Sequence, residues 1–357
     1  MIKQFAFLTI ILLTATTVNQ PLYAHHSRAM FQLDNSIELQ GTISNFLWRN
    51  PHVFIVVDAV NAQGETEQWT LESHSVSGLL GNGWQQDSLA PGDQVRVVAN
   101  PSTDESKNFA LLDYLVLGDG KLFYSFREPE GVDGIVPDVP DRRAQLGSTD
   151  FSATWTRMST VSPEAALRAA LVGSGFDAPT ELPLTELGRA QVSNFDLNDD
   201  PYLSCIPLSV PRIITWPYAQ RWVWSDNALL MEKEMSPQTR MIHFDQASPP
   251  SDYTPNELGY SYGRIDEDGS LIIETSGFAQ TPWGITRGLD SSTEKHITEV
   301  YKLENDGFEM SFTYTLTDPV YLTESRVEAG RYRAIRDHEF TSELCDLDAA
   351  NRHLEFE

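Results

Sequence analysis

The chain has 357 residues, and its 51 Asp and Glu against 25 Lys and Arg give a formal net charge of −26. Such a charge argues against nucleic acid and anionic membrane surfaces as partners, because both repel an acidic protein. The length exceeds what one hydrophobic core of ordinary size serves, so we expect two domains.

Residues 1–24 are typical of a secretory signal peptide. Lys3 precedes an apolar run from Phe5 to about Val18, and a polar break leads to a possible cleavage site after Ala24. The run is shorter than the roughly 20 apolar residues that span a bilayer, and no later segment approaches that length. We therefore expect a periplasmic or secreted protein with no transmembrane segment after cleavage.

Residues 25–126 are predicted to form a five-stranded barrel. SIELQGTISNFLW, HVFIVVDAV and ETEQWTLES show alternating or β-branched apolar residues, SVSGLLGNG is a short helical piece, and LAPGDQVRVVANP and FALLDYLVLGDGKLFYSF supply two more strands. This order is that of an oligonucleotide/oligosaccharide-binding (OB) barrel. Such barrels have many functions, so the fold does not determine the ligand.

The rest of the chain indicates a linker and a larger β domain, making the protein mainly all-β. Residues 127–150 are rich in Pro, Gly and charge and lack apolar periodicity, as linkers do. In residues 151–357, Ser162 and Thr185 are expected to begin short helices, and strands separated by Asp-Gly turns run from RIITWPY at Pro211 onward. This pattern predicts a closed or nearly closed antiparallel barrel, with a sandwich as the alternative.

The two cysteines, Cys205 and Cys345, both lie in the second domain. Neither has a CxxC partner or a neighbouring His, which argues against a metal or catalytic thiol. An oxidising compartment permits them to pair, so we expect one disulfide.

The sequence resembles two exported bacterial families of unknown function. HHS after the signal, WRNPHV, LES, GDQVRVVANP and GDGK are similar to motifs of one family. DPYLSCIPLSVPR, TRMIHFD, YSYGRIDEDGSLIIETSGF, KHITEV and ELCDLDAANRHL are similar to motifs of the other. The second family usually opens its domain with a Gly-x-Trp that is similar to that of lipocalin-like barrels, so the resemblance implies a lipocalin-like barrel for the second domain. This chain departs from the motif, with Ala153 in place of the glycine. The resemblance implies no established activity.

His25, His26 and His52 are the candidate metal ligands. Cleavage after Ala24 would give His25 a free α-amine beside its imidazole, and these two nitrogens can chelate one metal ion. Amine and imidazole donors suit Cu(II), or less selectively Ni(II), so copper is the first expectation, with no other cofactor. The alternative is a frayed terminus with His52 hydrogen-bonded at the barrel rim, and His74 is a fourth possible nitrogen donor.

Polar residues that interrupt the apolar strands of the second domain form a candidate ligand site. They are Arg240, His243, Arg264, Glu274, His296 and Glu299. We expect Arg240, Arg264, Glu274 and His296 to face one cavity, because an unpaired buried charge is costly. The alternative is a set of ordinary buried ion pairs. Strand alternation places His296 and Glu299 on opposite faces, which excludes a helical HxxE zinc pair.

The sequence favours binding over catalysis but leaves an enzyme possible. No GxSxG motif, Walker loop or strand-linked GxGxxG is present. The leading hypothesis is a periplasmic two-domain binding protein for a metal ion or small molecule, with copper handled through His25. One alternative is an enzyme or carrier for a small apolar or glycosidic ligand in the distal barrel. Another is an interaction subunit of an envelope complex, whose protein partner the sequence does not identify.

Overall fold

The computed structural model describes residues 30–50, 52–60, 64–137, 150–158, 182–193, 195–196, 199–204, 206–216, 218–234, 236, 238–335 and 340. These residues are mainly β and form two closed barrels, as the alternation of apolar residues predicts. No helix in these ranges is long and apolar enough to cross a membrane.

The first barrel has the strand order expected of an OB-like domain. Its elements are β1 Ile37–Leu47, β2 Phe54–Val60, β3 Thr66–Glu72, α1 Val76–Gly81, β4 Gln94–Pro101, β5 Phe109–Leu117 and β6 Leu122–Tyr124. The sheet runs β3-β2-β1-β4-β5-β6, and a parallel pairing of β3 with β5 closes the barrel. β1 pairs with both β2 and β4, and a bulge between Ile43 and Asn45 interrupts its register with β2.

The core of the first barrel follows from strand alternation. Val95, Val97 and Ala99 are buried along β4 while the residues between them are less buried. All six residues of α1 are buried, although a helix on the surface of a domain usually exposes one face. Something beyond the first barrel therefore covers this helix.

The second barrel contains nine strands. They are β7 Ala153–Arg157, β8 Gln220–Ser225, β9 Ala228–Lys233, β10 Thr239–His243, β11 Tyr260–Ile265, β12 Leu271–Ser276, β15 His296–Glu304, β16 Glu309–Thr317 and β17 Arg326–Ile335. The ring runs β10-β11-β12-β15-β16-β17-β7-β8-β9 and is antiparallel except for the parallel pair β10–β11. β13 Thr281–Thr286 and β14 Leu289–Ser291 form a separate hairpin.

One local prediction in this domain is confirmed and another is wrong. Helix α2, Glu186–Val192, begins as expected at Thr185, whose hydroxyl accepts a hydrogen bond from Gly188 N at 3.1 Å. The strand predicted at RIITWPY is wrong, because this segment forms turns in which Ile213 N donates to Ser209 O at 3.0 Å. Its apolar residues are buried as turns and join the core. The helix predicted after Ser162 lies outside the described residues.

Aromatic side chains pack in the interior of the second barrel. Trp222 meets Tyr301 edge to face, with ring centroids 4.9 Å apart, and Phe312 stacks on Tyr332 at the same distance. A Cβ on Gly330, which pairs with Phe312 across the ladder, would lie 2.5 Å from that ring. The absence of a side chain at Gly330 therefore leaves the space that the Phe312 ring occupies in the core.

Helix α1 of the first barrel packs against β7 and β17 of the second. A Cβ on Gly81 would lie 2.8 Å from Thr156 Cγ2, so the close approach requires glycine. Arg333 Nη1 donates a hydrogen bond to Gly81 O at 2.8 Å, and Ile335 joins the core of the first barrel. This contact explains why α1 has no exposed face. The division into residues 25–126, a linker at 127–150 and residues 151–357 stays a prediction.

Candidate functional site

The predicted metal ligands are only partly described. His25 and His26 lie outside the described residues. His52 Nδ1 is 3.2 Å from Ser73 O and 3.3 Å from Glu72 Oε1, and the side chain is 35% exposed. Among the described residues, no three or more His, Cys, Asp or Glu side chains form a group that could hold a metal ion. The copper hypothesis therefore stays a prediction.

His74 and the two cysteines are the other predicted metal and disulfide positions. His74 Nδ1 accepts a hydrogen bond from Ser75 N at 2.7 Å, and its ring packs on Phe126 with centroids 4.9 Å apart. Cys205 and Cys345 lie outside the described residues, so the predicted disulfide stays a prediction.

The expectation that Arg240, Arg264, Glu274 and His296 face one cavity is wrong. Arg264 and Glu274 form a 2.8 Å ion pair on the outer face, with side chains 45% and 47% exposed, and His296 is exposed as well. The reason is the phase of the strands, because Gly263, Ile273 and Ile297 are the buried neighbours that point inward.

His243 is half-buried and contributes to a stack of rings. Its imidazole lies on Tyr260, with ring centroids 4.6 Å apart and planes 9° from parallel. Arg240 and Ile242 are the buried residues of the same strand, so alternation turns His243 away from them. The structure does not bring His243 together with Arg240.

Arg240 and Glu299 instead form a buried ion pair inside the second barrel. Arg240 Nη2 is 2.5 Å from Glu299 Oε1, and Nη1 is 3.0 Å from Oε2. Arg240 also donates to Ser261 Oγ and Thr275 Oγ1, while Tyr301 Oη donates to Glu299 at 2.6 Å. Burial opposes the charge of Arg240, but Glu299 outweighs it and raises the Arg240 pKa. Neighbouring side chains thus match both charged groups, which favours a structural role.

Two buried lysines in the second domain were not singled out from the sequence. Lys295 Nζ donates to Ser209 Oγ at 2.6 Å, Val210 O at 2.7 Å and Ser291 Oγ at 3.0 Å. Burial lowers the pKa of Lys295 to about 7, and the nearby charge of Asp318 opposes that shift. Because both serines are buried, with 1% and 0% of their surface exposed, this Ser–Lys contact has no access for a substrate.

Lys233 differs from Lys295 because its amine is unmatched. Its Nζ is buried without a hydrogen-bond partner in the described chain, and so is Nε2 of Gln220, the residue paired with it across the ladder. Burial, reinforced by the charge of Arg240, lowers the pKa of Lys233 well below its usual value.

A polar cleft of about 160 Å³ lies where the two barrels meet. The first barrel and the segment after it contribute one wall. This wall contains His74, Gly78, Gly81, Asn82, Tyr124 and Phe126. A Cβ on Gly78 would lie 2.2 Å from His74 Nδ1, so glycine lets the imidazole lie over helix α1.

The second barrel contributes the facing wall, formed by Thr156, Arg157 and Met158 at the end of β7 and by Arg333 of β17. Thr156 and Arg333 are directly paired across the β7–β17 ladder, which places their side chains side by side. Exposed Arg127 and Glu128 complete the lining.

The charge of this cleft is opposite to that of the chain. Arg127 and Arg333 line it together with one carboxylate, Glu128, in a protein of net charge −26. Arg157 also belongs to the lining, but alternation along β7 turns its side chain to the face opposite Thr156, where Nη1 donates to Thr215 O at 3.1 Å and burial lowers its pKa.

Two polar atoms of the cleft residues have no hydrogen-bond partner within the described residues. They are Oγ1 of Thr156, whose residue is 2% exposed, and Nε of Arg333. Buried polar groups are nearly always matched in native proteins, so a neighbouring pair of unmatched groups needs an explanation. A bound molecule with an acceptor oxygen would match both.

This cleft has little signal in the sequence. Gly81, Thr156 and Arg333 belong to α1, β7 and β17, and only the packing of one barrel on the other brings them together. The features of the sequence that hint at the cleft are weak. They are short, glycine-containing helices and three arginines in a strongly acidic chain.

The fold and this cleft define a two-barrel β protein with a cationic site between its barrels. Residues 13–110 match a family of unknown function (DUF6152), and the match covers most of the first barrel but not the second. This supports the expected resemblance of the N-terminal part to an uncharacterised family. No curated protein and no solved structure matches the chain.

Proposed function

We propose that this chain is an exported binding protein that holds a small molecule in the cleft between its two barrels. The observation that carries the proposal is the pair of unmatched buried groups, Thr156 Oγ1 and Arg333 Nε, on neighbouring strands that line the cleft. Ligand sites are commonly concave and often lie between domains, with a few polar groups that set orientation.

The lining favours binding over chemistry. Its hydroxyl groups are those of Tyr124 and Thr156, and it includes neither serine nor cysteine. The single lining carboxylate, Glu128, is exposed to solvent. Arginines and unmatched donors instead provide orientation and charge.

Replacement of Thr156 by Val tests this proposal. The change removes the hydroxyl and keeps the shape of the side chain, so the fold should survive. We expect thermal-shift screening with small acids, sugars and amides to find compounds that stabilise the wild type and lose that effect in Thr156→Val. Thr154→Val, a change in the same strand outside the cleft lining, is the control. Equal responses from both variants would contradict the proposal.

Copper binding at the N-terminus is a second candidate function, favoured by the surroundings of His52. In metal sites, the ring nitrogen that does not bind the metal usually donates to a carbonyl or carboxylate. His52 Nδ1 lies beside Ser73 O and Glu72, an arrangement that suits a metal on Nε2. Cleavage after Ala24 would supply the amine and imidazole of His25, with His26 as a further ligand.

An extra N-terminal alanine tests the copper proposal. It leaves every side chain in place but moves the free amine away from His25. We expect the mature protein to bind Cu(II) tightly and the extended form to bind it weakly, as measured by metal analysis and titration. Equal copper affinity of the two forms would refute the terminal chelate.

A further inference from the structure

We infer that the cleft takes a small, flat carboxylate of about the size of benzoate, an inference that rests on the proposed binding function. The carboxylate would accept hydrogen bonds from Arg333 Nε and Thr156 Oγ1, and the flat part would lie against the His74–Phe126 ring pair. Charge, geometry and size each support this class of ligand.

Two arginines of the lining, Arg127 and Arg333, can present their guanidinium groups to the cleft, because the side chain of Arg157 lies on the opposite face of β7. Together with the Glu128 carboxylate, these groups carry a net charge of +1. A neutral ligand would leave this excess unbalanced, whereas a carboxylate is ionised at neutral pH and would offset it. Hydrogen bonds from an arginine to a carboxylate are also stronger than those to a neutral acceptor.

The two unmatched donors belong to residues that lie side by side on β7 and β17. Arg333 Nη1 is already bound to Gly81 O at 2.8 Å, Nη2 lies 3.7 Å from Glu309 Oε1, and Tyr124 also forms a hydrogen bond with this side chain. Nε is the remaining edge of this guanidinium, and Thr156 lies directly opposite on β7. One carboxylate has two oxygens, and one of them can reach each donor.

The volume of the cleft and its aromatic wall suit a ligand that contains one small ring. Dry protein cavities of about 150 Å³ hold a benzene molecule, and this cleft has a volume of about 160 Å³. His74 and Phe126 contribute two rings to one side of the cleft, with centroids 4.9 Å apart and planes tilted by 35°. A flat ring can pack against one of these rings at the usual aromatic spacing.

Calorimetric titration of the full chain with benzoate, benzamide, acetate and inorganic phosphate tests the assignment. We expect benzoate to bind at least about tenfold more tightly than benzamide, which has the same shape without the charge. Acetate lacks the ring and phosphate is not flat, so both should bind more weakly than benzoate. Thr156→Val and Arg127→Gln should each weaken benzoate binding, whereas Arg264→Gln, on the outer face of the second barrel, should not.

The outcomes separate this inference from the proposed function. Equal binding of benzamide and benzoate, with loss in Thr156→Val, would keep the cleft as a binding site and overturn the carboxylate. Preference for phosphate or acetate would overturn the flat ligand. Benzoate binding that neither cleft variant changes would overturn both proposals. Absence of benzoate binding would overturn the carboxylate inference, while the thermal-shift screen would still decide the proposed function.

Discussion

Arg240 and Arg333 lie in two regions of this protein that satisfy the hydrogen-bonding groups of an arginine differently. Inside the second barrel, Arg240 is matched by Glu299, Ser261 and Thr275. In the cleft between the barrels, Arg333 has a buried Nε without a partner in the described chain, beside the unmatched hydroxyl of Thr156. The Arg240 network is complete within the chain, whereas the unmatched atoms of Arg333 and Thr156 need an explanation, which a molecule bound in the cleft would supply. Charged residues alone, which guided the sequence prediction, do not distinguish these two cases.

Removal of the Glu299 carboxylate should have the largest effect on stability. Glu299→Ala leaves Arg240 charged, buried and unpaired, so we expect the free energy of unfolding to fall by about 3–5 kcal/mol in urea denaturation. Glu274→Ala, which breaks the exposed pair with Arg264, is the control and should cost at most about 1 kcal/mol. Similar losses from the two variants would show that Arg240 and Glu299 do not form a buried network.

The pH dependence of stability should reveal Lys295. Burial lowers its pKa in the folded protein to about 7, below the usual value of 10.5 that we take for the unfolded chain. Between these values the unfolded chain binds more protons, so the free energy of unfolding rises with pH, by about 2 kcal/mol from pH 7 to pH 9. Denaturation of Lys295→Met over this range should show a smaller rise. Parallel curves for the two proteins would mean that Lys295 keeps an ordinary pKa.

Two threonines give the most direct comparison of the matched and unmatched regions. Thr156→Val removes a buried hydroxyl without a partner, so we expect the ligand-free protein to gain about 1 kcal/mol of stability. Thr275→Val removes an acceptor that Arg240 Nη2 uses at 2.7 Å, so we expect a loss of about 1–2 kcal/mol. The readout is the urea midpoint of each variant. If both changes destabilise, the hydroxyl of Thr156 is matched in solution.

The sequence was sufficient to predict much of the fold. The alternation in GDQVRVVANP and its neighbours, with one helical piece between the third and fourth strands, predicted the OB-like order that the structure confirms. The turn-separated strands of the second domain likewise predicted a larger barrel. RIITWPY was mistaken for a strand because burial of apolar residues in a turn leaves the same local pattern as burial in a sheet.

The candidate site was much harder to predict. Alternation gives the relative facing of residues within a strand, as it did for His296 and Glu299, but not which face points into the barrel. Arg264 and Glu274 were therefore placed on the wrong side. The cleft could not be predicted at all, since Gly81, Thr156 and Arg333 meet only when the barrels pack together.

The contact between Arg333 and Gly81 O has a consequence for the whole molecule. It joins the two barrels beside the cleft, and the cleft has walls from both of them. A molecule bound there contacts both barrels, so its binding free energy also opposes their separation. The two equilibria are linked. If the ligand shifts the equilibrium between separated and packed barrels by some factor, packing of the barrels raises the affinity for the ligand by the same factor. The affinity of the cleft is thus also a measure of how firmly the two halves of the chain hold together.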